Sequence, residues 1–365
     1  MKKVISITIP TFNREQSIYN KTKSYVNLIK KKNLQKEVEI LIVDNCSDKY
    51  DIFELLKEFN NEENKSFLRI IKNEKNIGMT KNIIKTMQIC EGDFYYFNGD
   101  DDPMEYENIA KVLKIIIDNQ YKYNVFVAAQ EGSYGYEEMF KGVDKNSFKV
   151  KNNSLDKLII YYIANGNTFA RTECLKNLFE EKMDFLIKYP IPQASIVLQN
   201  LQLKDEIVLC NYNILNSENV QNNSLTSWSV NYTRFSIWYF YDREFNLDLK
   251  YLRLRHPIFK PITFIRHFLY IALLYHFSDT KDERKQFLKF FDNHNLPFWY
   301  TFFAKHLATN KLFKYSVYLI FLTKSILVRR KFFTPKKLET DYQNARNSLE
   351  KNSDNHHWNS DWFNG

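Results

Sequence analysis

Over the first 130 residues, short apolar runs alternate with longer amphipathic stretches. Val4–Ile9, Val38–Val43, Phe67–Lys72, Phe94–Phe97 and Val125–Ala129 are β-branched or aromatic runs of strand length. Between them, residues 17–32, 50–60, 79–90 and 104–119 carry helical periodicity. Strands alternating with helices predict a mostly parallel sheet covered on both faces. Residues 131–215 read as mixed structure. A helix near 154–165 leads to Gly166–Arg171, then to a helix near 172–182, a loop from Lys188 to Gln193 and a strand over Ile207–Tyr212. Beyond about residue 230 the strand signal fades into aromatic and basic stretches, notably Phe264–Phe277 and Leu312–Val328, and the residues after about 338 are polar. This pattern predicts an α/β domain over 1–215, a helical region over 216–340 and a polar tail over 341–365.

In an open parallel sheet, ligands bind beyond the carboxyl ends of the strands. The residues that follow each strand therefore come first. They are Pro10-Thr11-Phe12-Asn13-Arg14-Glu15, Asp44-Asn45-Cys46-Ser47-Asp48, Asn73-Glu74-Lys75-Asn76-Ile77-Gly78 and Asn98-Gly99-Asp100-Asp101-Asp102. All are polar, and the fold class places them along one edge. Three consecutive carboxylates repel one another unless a cation neutralises them, and carboxylates with a ligand's phosphates suit Mg²⁺ or Mn²⁺. The plainer reading is a solvated turn capping the helix that starts near Met104. Asp44-Asn45 suits the edge of a base, or an Asx turn capping the next helix with Ser47 and Asp48. Asn76-Ile77-Gly78 opens a helix whose N-terminus, with Lys81, suits phosphates.

The net charge of +9 is unevenly spread. Residues 230–340 carry 20 Lys/Arg and 8 Asp/Glu, which puts the basic character in that segment. Such a segment fits an anionic partner. Near Leu312–Val328, Lys311, Lys314, Ser325 and Arg329 fall near one helical face, and Arg329-Arg330-Lys331 follows. Two readings stand side by side: helices over 260–337 lying on an anionic membrane, or core helices of a small bundle with basic rims. No recognised nucleic-acid module is visible, so no nucleic-acid partner is expected. Cys46, Cys90, Cys174 and Cys210 are far apart with no CxxC pair, which argues against a zinc site or a disulfide framework. The apolar run after Met1-Lys2-Lys3 is too short for a signal-peptide core, and no stretch of ~20 apolar residues is uninterrupted. A cytoplasmic location is expected, with peripheral contact at the inner face of the cell membrane under the interfacial reading.

Four segments together resemble glycosyltransferase family 2, the inverting nucleotide-sugar enzymes of GT-A fold. They are Ser6–Arg14, Glu39–Ser47, Asn76-Ile77-Gly78 with Lys81-Asn82, and Glu91–Asp102. Their order and spacing agree with the family over roughly residues 1–210. The resemblance implies a GT-A domain, a Rossmann-like, mixed, mostly parallel sheet flanked by helices. By the same resemblance, Pro10, Thr11 and Asn13, with Glu15 close by, lie along the donor nucleotide. Asp44 and Asn45 meet a pyrimidine base, with Asn45 standing where many members have a second Asp. Asn76, Gly78 and Lys81 face the diphosphate. Asp100–Asp102 match the DxD motif, with Asp100 and Asp102 as metal ligands and Asp100 and Asp101 also on the donor side.

The implied chemistry is metal-dependent transfer of a sugar, with inversion. The donor is a UDP- or dTDP-sugar, and the acceptor is a hydroxyl of a glycan or lipid-linked molecule in bacterial surface polysaccharide or oligosaccharide synthesis. The family's usual Glu-Asp pair for the catalytic base is absent. Of the acidic residues in 166–200, Asp184 is favoured because it is expected to lie beyond the helix, and Glu173 comes next. A nucleotidyltransferase using the same acidic site is an alternative, though Pro10–Arg14 is no Gly-rich phosphate loop. A non-catalytic binding protein that retains the fold is another.

Overall fold

The computed structural model describes residues 2–130, 136–152, 166–188 and 192–215, together with Phe245 and Phe302. The chain divides into two compact units, Met1–Gln221 with Ile237–Asp248, and Asn222–Ser236 with Leu249–Gly365. In the second unit only Phe302 is described, and it is exposed. The helix expected near 154–165, the basic region (Phe245 and Phe302 apart) and the polar tail lie outside the described residues.

The first unit is built on β1 (Ile5–Thr11), α1 (Glu15–Lys31), β2 (Val38–Asp44), α2 (Ile52–Leu55), β3 (Leu68–Lys72), α3 (Met79–Ile89), β4 (Phe94–Phe97), α4 (Tyr106–Asn119) and β5 (Val125–Ala129). After these come α5 (Tyr136–Met139), β6 (Phe148–Asn152), β7 (Thr168–Arg171), a 3₁₀ turn over Thr172–Cys174, α6 (Leu175–Lys188), α7 (Pro192–Leu203) and β8 (Glu206–Asn213). The eight strands form one sheet in the order β3-β2-β1-β4-β7-β5-β8-β6. Only β7 and β6 run against their neighbours; the other described pairings are parallel. This is the mixed, mostly parallel sheet flanked by helices that the sequence pattern predicts.

The burial explains the strand patterns. Every residue of β2 is buried, as befits a parallel strand covered on both faces. Tyr96 stacks on Phe169 with ring centroids 4.0 Å apart, tying β4 to β7. The helix expected over 50–60 is only Ile52–Leu55. Asp51 caps it by accepting from Phe53 N and Glu54 N, but Asn61 and Asn64 then take over the local backbone bonds. Asn64 Nδ2 donates to Phe59 O at 2.8 Å, the kind of side-chain bond that competes with a helix.

The helix expected to end near 182 continues to Lys188 across a break at Lys182 (φ −131, ψ 18). The loop expected through Gln193 gives way to α7 at Pro192. Proline suits a first helical position because its missing N–H is unpaired there anyway. α7 buries Pro192 through Leu198, with Asn200 and Leu201, so it has no amphipathic period to find.

Two positions fix where the ligand edge and the opposite edge lie. Thr11 pairs with Asp44, and Asp44 with Lys72, so β1, β2 and β3 end level. Phe94 pairs with Arg171, so antiparallel β7 begins at the ligand edge and ends at the opposite one. At that opposite edge, a Cβ on Gly92 would lie 2.5 Å from Ser6 N and 2.7 Å from Ile5 C, so only glycine fits there.

Candidate active site

The acidic loop grows directly out of β4. Asn98 N donates to Thr8 O and continues the ladder for one more residue, after which Gly99–Asp102 turns away. Each carboxylate has its own partner. Thr11 Oγ1 donates to Asp100 Oδ2 at 2.7 Å, Arg14 Nη2 meets Asp101 Oδ2 at 3.3 Å, and Asp102 Oδ2 accepts from Gly99 N at 3.0 Å. Burial, and then the charge of Asp101, push the Asp100 carboxyl up to about 6. Burial therefore penalises the Asp100 charge more than Thr11, Arg14 and Lys21 offset it.

Beneath it lies a lysine that the sequence reading did not single out. Lys21, only 4% exposed, sends Nζ to Asn98 Oδ1 (3.1 Å), Gly99 O and Asp102 O (2.8 Å). Tyr25 Oη donates to the same Asn98 Oδ1 at 2.9 Å. Burial lowers the Lys21 pKa, while the charges of Asp102, Asp100 and Asp101 act to raise it. The available signal was positional: Ile18, Lys21, Thr22, Tyr25 and Ile29 share the buried stripe of α1, and a lysine there needs partners.

The β1 loop faces the next strand end. Asn13 (φ 54) accepts at Oδ1 from Asp48 N and Lys49 N, and its own N donates to Ser47 Oγ. Asn13 Nδ2 is buried and has no hydrogen-bond partner. It is a donor kept out of water at the ligand edge, as a bound molecule's oxygen would require. Glu15 opens α1 and is exposed.

Asp44 is fully buried; Ser47 N and Ser47 Oγ both donate to its carboxylate. Burial raises its pKa against these bonds. Asn45 Oδ1 accepts from Asn73 Nδ2 and Ile77 N, both at 3.0 Å, and Asn45 Nδ2 donates to Asn76 Oδ1 at 2.7 Å. Asn76 Oδ1 also takes Gly78 N at 2.9 Å. Gly78, at φ 82, makes the turn into α3 that a side chain would strain. Lys81 is exposed on the first turn of α3.

The two residues expected to act as base are placed differently from their sequence reading. Glu173 lies in the 3₁₀ turn after β7, where Thr172 N donates to Asp93 O and Thr172 Oγ1 to Gly92 O. That is the edge opposite Asp100–Asp102, because β7 runs antiparallel to β4. Asp184 lies inside α6, not beyond it, and is exposed. α6 starts at the opposite edge and breaks at Lys182, two residues before Asp184. Its last turn precedes α7, whose first residues line a crevice with Gly166.

Among the described residues no three acidic, His or Cys side chains form a ready-made metal cluster. The donor set nevertheless fits a hard divalent cation bound together with a phosphorylated ligand, which takes only one or two protein carboxylates. Asp100 and Asp102 would supply them.

Residues 6–179 match the family model described as Glycosyl transferase family 2. A comparison with curated proteins gave no match. Among solved structures, the chain is similar to S. aureus TarS 1-349 in complex with UDP-GlcNAc, at 17% identity over 95% of this chain and 92% of that one, with a TM-score of 0.47. The mannosyltransferase PcManGT from Pyrobaculum calidifontis in complex with GDP-Man and Mn²⁺ has 11% identity over 98% and 89%, with a TM-score of 0.48. The glucosyl-3-phosphoglycerate synthase of Mycobacterium tuberculosis in complex with Mn²⁺, UDP and glucosyl-3-phosphoglycerate has 13% identity over 64% and 77%, with a TM-score of 0.39. Residues 6–179, which contain the acidic loop and the partners named above, are a glycosyltransferase family 2 domain.

Proposed function

We propose that this glycosyltransferase moves a sugar from a nucleoside diphosphate donor of UDP or dTDP type to a hydroxyl of a glycan or lipid-linked acceptor, with inversion. The supporting observation is the acidic loop at the ligand edge, where Asp100 stays half-buried beside Asp101 with its carboxyl pushed up to about 6. A carboxylate whose charge is penalised by burial and by a neighbouring carboxylate suits a divalent cation that arrives with a diphosphate. Asp100 and Asp102 would hold Mn²⁺ or Mg²⁺, which when bound stabilises the negative charge of the leaving diphosphate.

The chain's own residues do the rest. Lys21 holds the acidic loop by its backbone carbonyls, and Thr11 fixes Asp100. Pro10, Thr11, Asn13 and Glu15 line the nucleotide side, where Asn13 Nδ2 is the unspent donor. The turn Asn76–Gly78 and the start of α3 with Lys81 offer positive character to the diphosphate. Asp44 and Asn45 shape the floor beside the base. Asp184 takes the proton from the acceptor hydroxyl as that oxygen attacks the anomeric carbon from the face opposite the diphosphate. The basic segment over 260–337 brings the enzyme to an anionic membrane surface, where lipid-linked acceptors reside.

The test combines donor hydrolysis and nucleotide binding in Mn²⁺. Wild-type protein should release sugar from one member of a nucleotide-sugar panel, and Asp102→Asn should lose metal-dependent binding while staying folded. Unchanged metal-dependent binding by Asp102→Asn would take the metal role from that residue. Asp184→Asn should keep donor binding and lose transfer by about 10²–10⁴.

A further inference from the structure

Gln193, the second residue of α7, is 8% exposed, and its side-chain Oε1 is buried without a hydrogen-bond partner. An amide oxygen hidden from water and unpaired costs free energy unless a ligand supplies the missing donor. Gln193 lines a narrow crevice with Tyr95, Phe97, Gly166, Ile196 and Val197, with room for about one water-sized group. Its walls are largely aromatic and aliphatic, so they offer little competition for a polar guest.

The crevice adjoins the acidic loop through Gly166. A Cβ built on Gly166 would lie 3.3 Å from Asp102 Oδ2 and 3.6 Å from Phe97 O. Gly166 also takes φ +69, which favours glycine, and its carbonyl accepts from Tyr96 Oη at 3.0 Å. Among the described residues, Gly166, which has no side chain, both lines the crevice and lies beside the Asp102 carboxylate.

We infer that Gln193 is a specificity-determining residue: its Oε1 accepts a hydrogen bond from one hydroxyl of the donor's sugar, seated in the crevice beyond Gly166. The inference rests on the nucleotide-sugar reading above and adds which part of the donor is read, and by what. The crevice admits a hydroxyl and excludes a ring, so it reads the presence and direction of a single substituent. An amide holds that hydroxyl without taking its proton, which separates this role from that of the base.

Binding measured in Mn²⁺ tests this, with UDP, dTDP and GDP each compared with UDP-glucose, UDP-GlcNAc, dTDP-glucose and GDP-mannose. The quantity read is the affinity ratio of nucleotide sugar to bare nucleotide. Gln193→Met keeps the volume but removes the acceptor, and should shrink that ratio about tenfold for the preferred donor while leaving the bare nucleotide unchanged. Gln193→Glu keeps an acceptor oxygen and should preserve the ratio. An unchanged ratio in Gln193→Met overturns the inference. So does a parallel loss for sugar and bare nucleotide, or equal behaviour of Met and Glu, since each indicates a packing role. If the wild type binds no nucleotide in Mn²⁺, the donor reading itself fails, and this inference fails with it.

Discussion

Asp100→Asn should stabilise the metal-free protein, an unusual result for a residue at a functional site. The Asp100 carboxyl ordinarily titrates near 3.8 and is pushed up to about 6, first by burial and then by Asp101. Thr11, Arg14 and Lys21 pull the other way without winning. The folded state thus binds this proton more tightly than the unfolded chain does, so the ionised carboxylate opposes folding. The penalty is small below pH 4, grows as pH rises between the two values, and levels off above about 6. With each unit worth about 1.4 kcal/mol, the gap corresponds to about 3 kcal/mol at pH 7 and roughly half that at pH 5. Asparagine keeps the shape and an oxygen for Thr11 but carries no charge. Urea unfolding in a chelator, followed by circular dichroism, should show Asp100→Asn more stable than wild type by up to about 3 kcal/mol at pH 7, and by roughly half that at pH 5. Saturating Mn²⁺ should narrow or reverse the order, because only the wild type gains full binding energy. A variant that is neutral or destabilised in chelator at pH 7, or a difference that does not change between pH 5 and 7, would refute the account of a strained acidic loop awaiting a cation.

Three other outcomes follow from the same geometry. Lys21→Met should cost about 2–4 kcal/mol, since it strips donors from Asn98, Gly99 and Asp102 in the interior, and nucleotide affinity in Mn²⁺ should drop with it; thermal melts and titration calorimetry read both. Gly92→Ala, at the edge away from the ligand, should lower stability by roughly 2 kcal/mol or more without a specific loss of nucleotide affinity in whatever protein still folds, because its Cβ meets Ser6 and Ile5 backbone. Full-length protein should sediment with anionic vesicles at low ionic strength and come off as salt rises toward physiological levels; indifference to such vesicles at low salt would end the interfacial reading of 260–337.

The parts of the fold that were legible in the sequence are those with a local signature. Of the five strands over the first 130 residues, β1, β2, β4 and β5 are buried almost throughout and β3 (Leu68–Lys72) is a half-buried edge strand; all five are rich in β-branched or aromatic residues, so they were found almost to the residue. The polar strand ends were legible for the same reason, since a parallel sheet leaves them little choice of edge. β6 (Phe148–Asn152), β7 and α7 were harder. Lys149 and Lys151 break the apolar run of an edge strand, and α7 is buried on all sides. Lys21 escaped because a lysine on a helix is normally solvated; only the company of Thr22 and Tyr25 on the same stripe set it apart. The place of Glu173 was hidden for a geometric reason. Its location depends on whether the strand before it runs with or against β4, and a four-residue strand such as Thr168–Arg171 gives no sign of its direction.

The pair at 44 and 45 shows how a departure from a family pattern can be settled inside one chain. Asparagine at 45 looks at first like a weakened version of the commoner aspartate. The contacts give it a different role. Its Oδ1 gathers Asn73 and Ile77 N, and its Nδ2 reaches Asn76 Oδ1. The orientation of Asn76 is not free, because Gly78 N pins that same Oδ1. An aspartate at 45 would set a carboxylate oxygen against an amide oxygen that cannot turn away, with no proton between them. Asn45 and Asn76 therefore belong together, and the turn that leads into α3 is held to β2 by side-chain amides where a carboxylate would push it off. Asn13 Nδ2, a buried donor at the same ligand edge, is left unspent, so under the proposed donor reading that position calls for an acceptor atom.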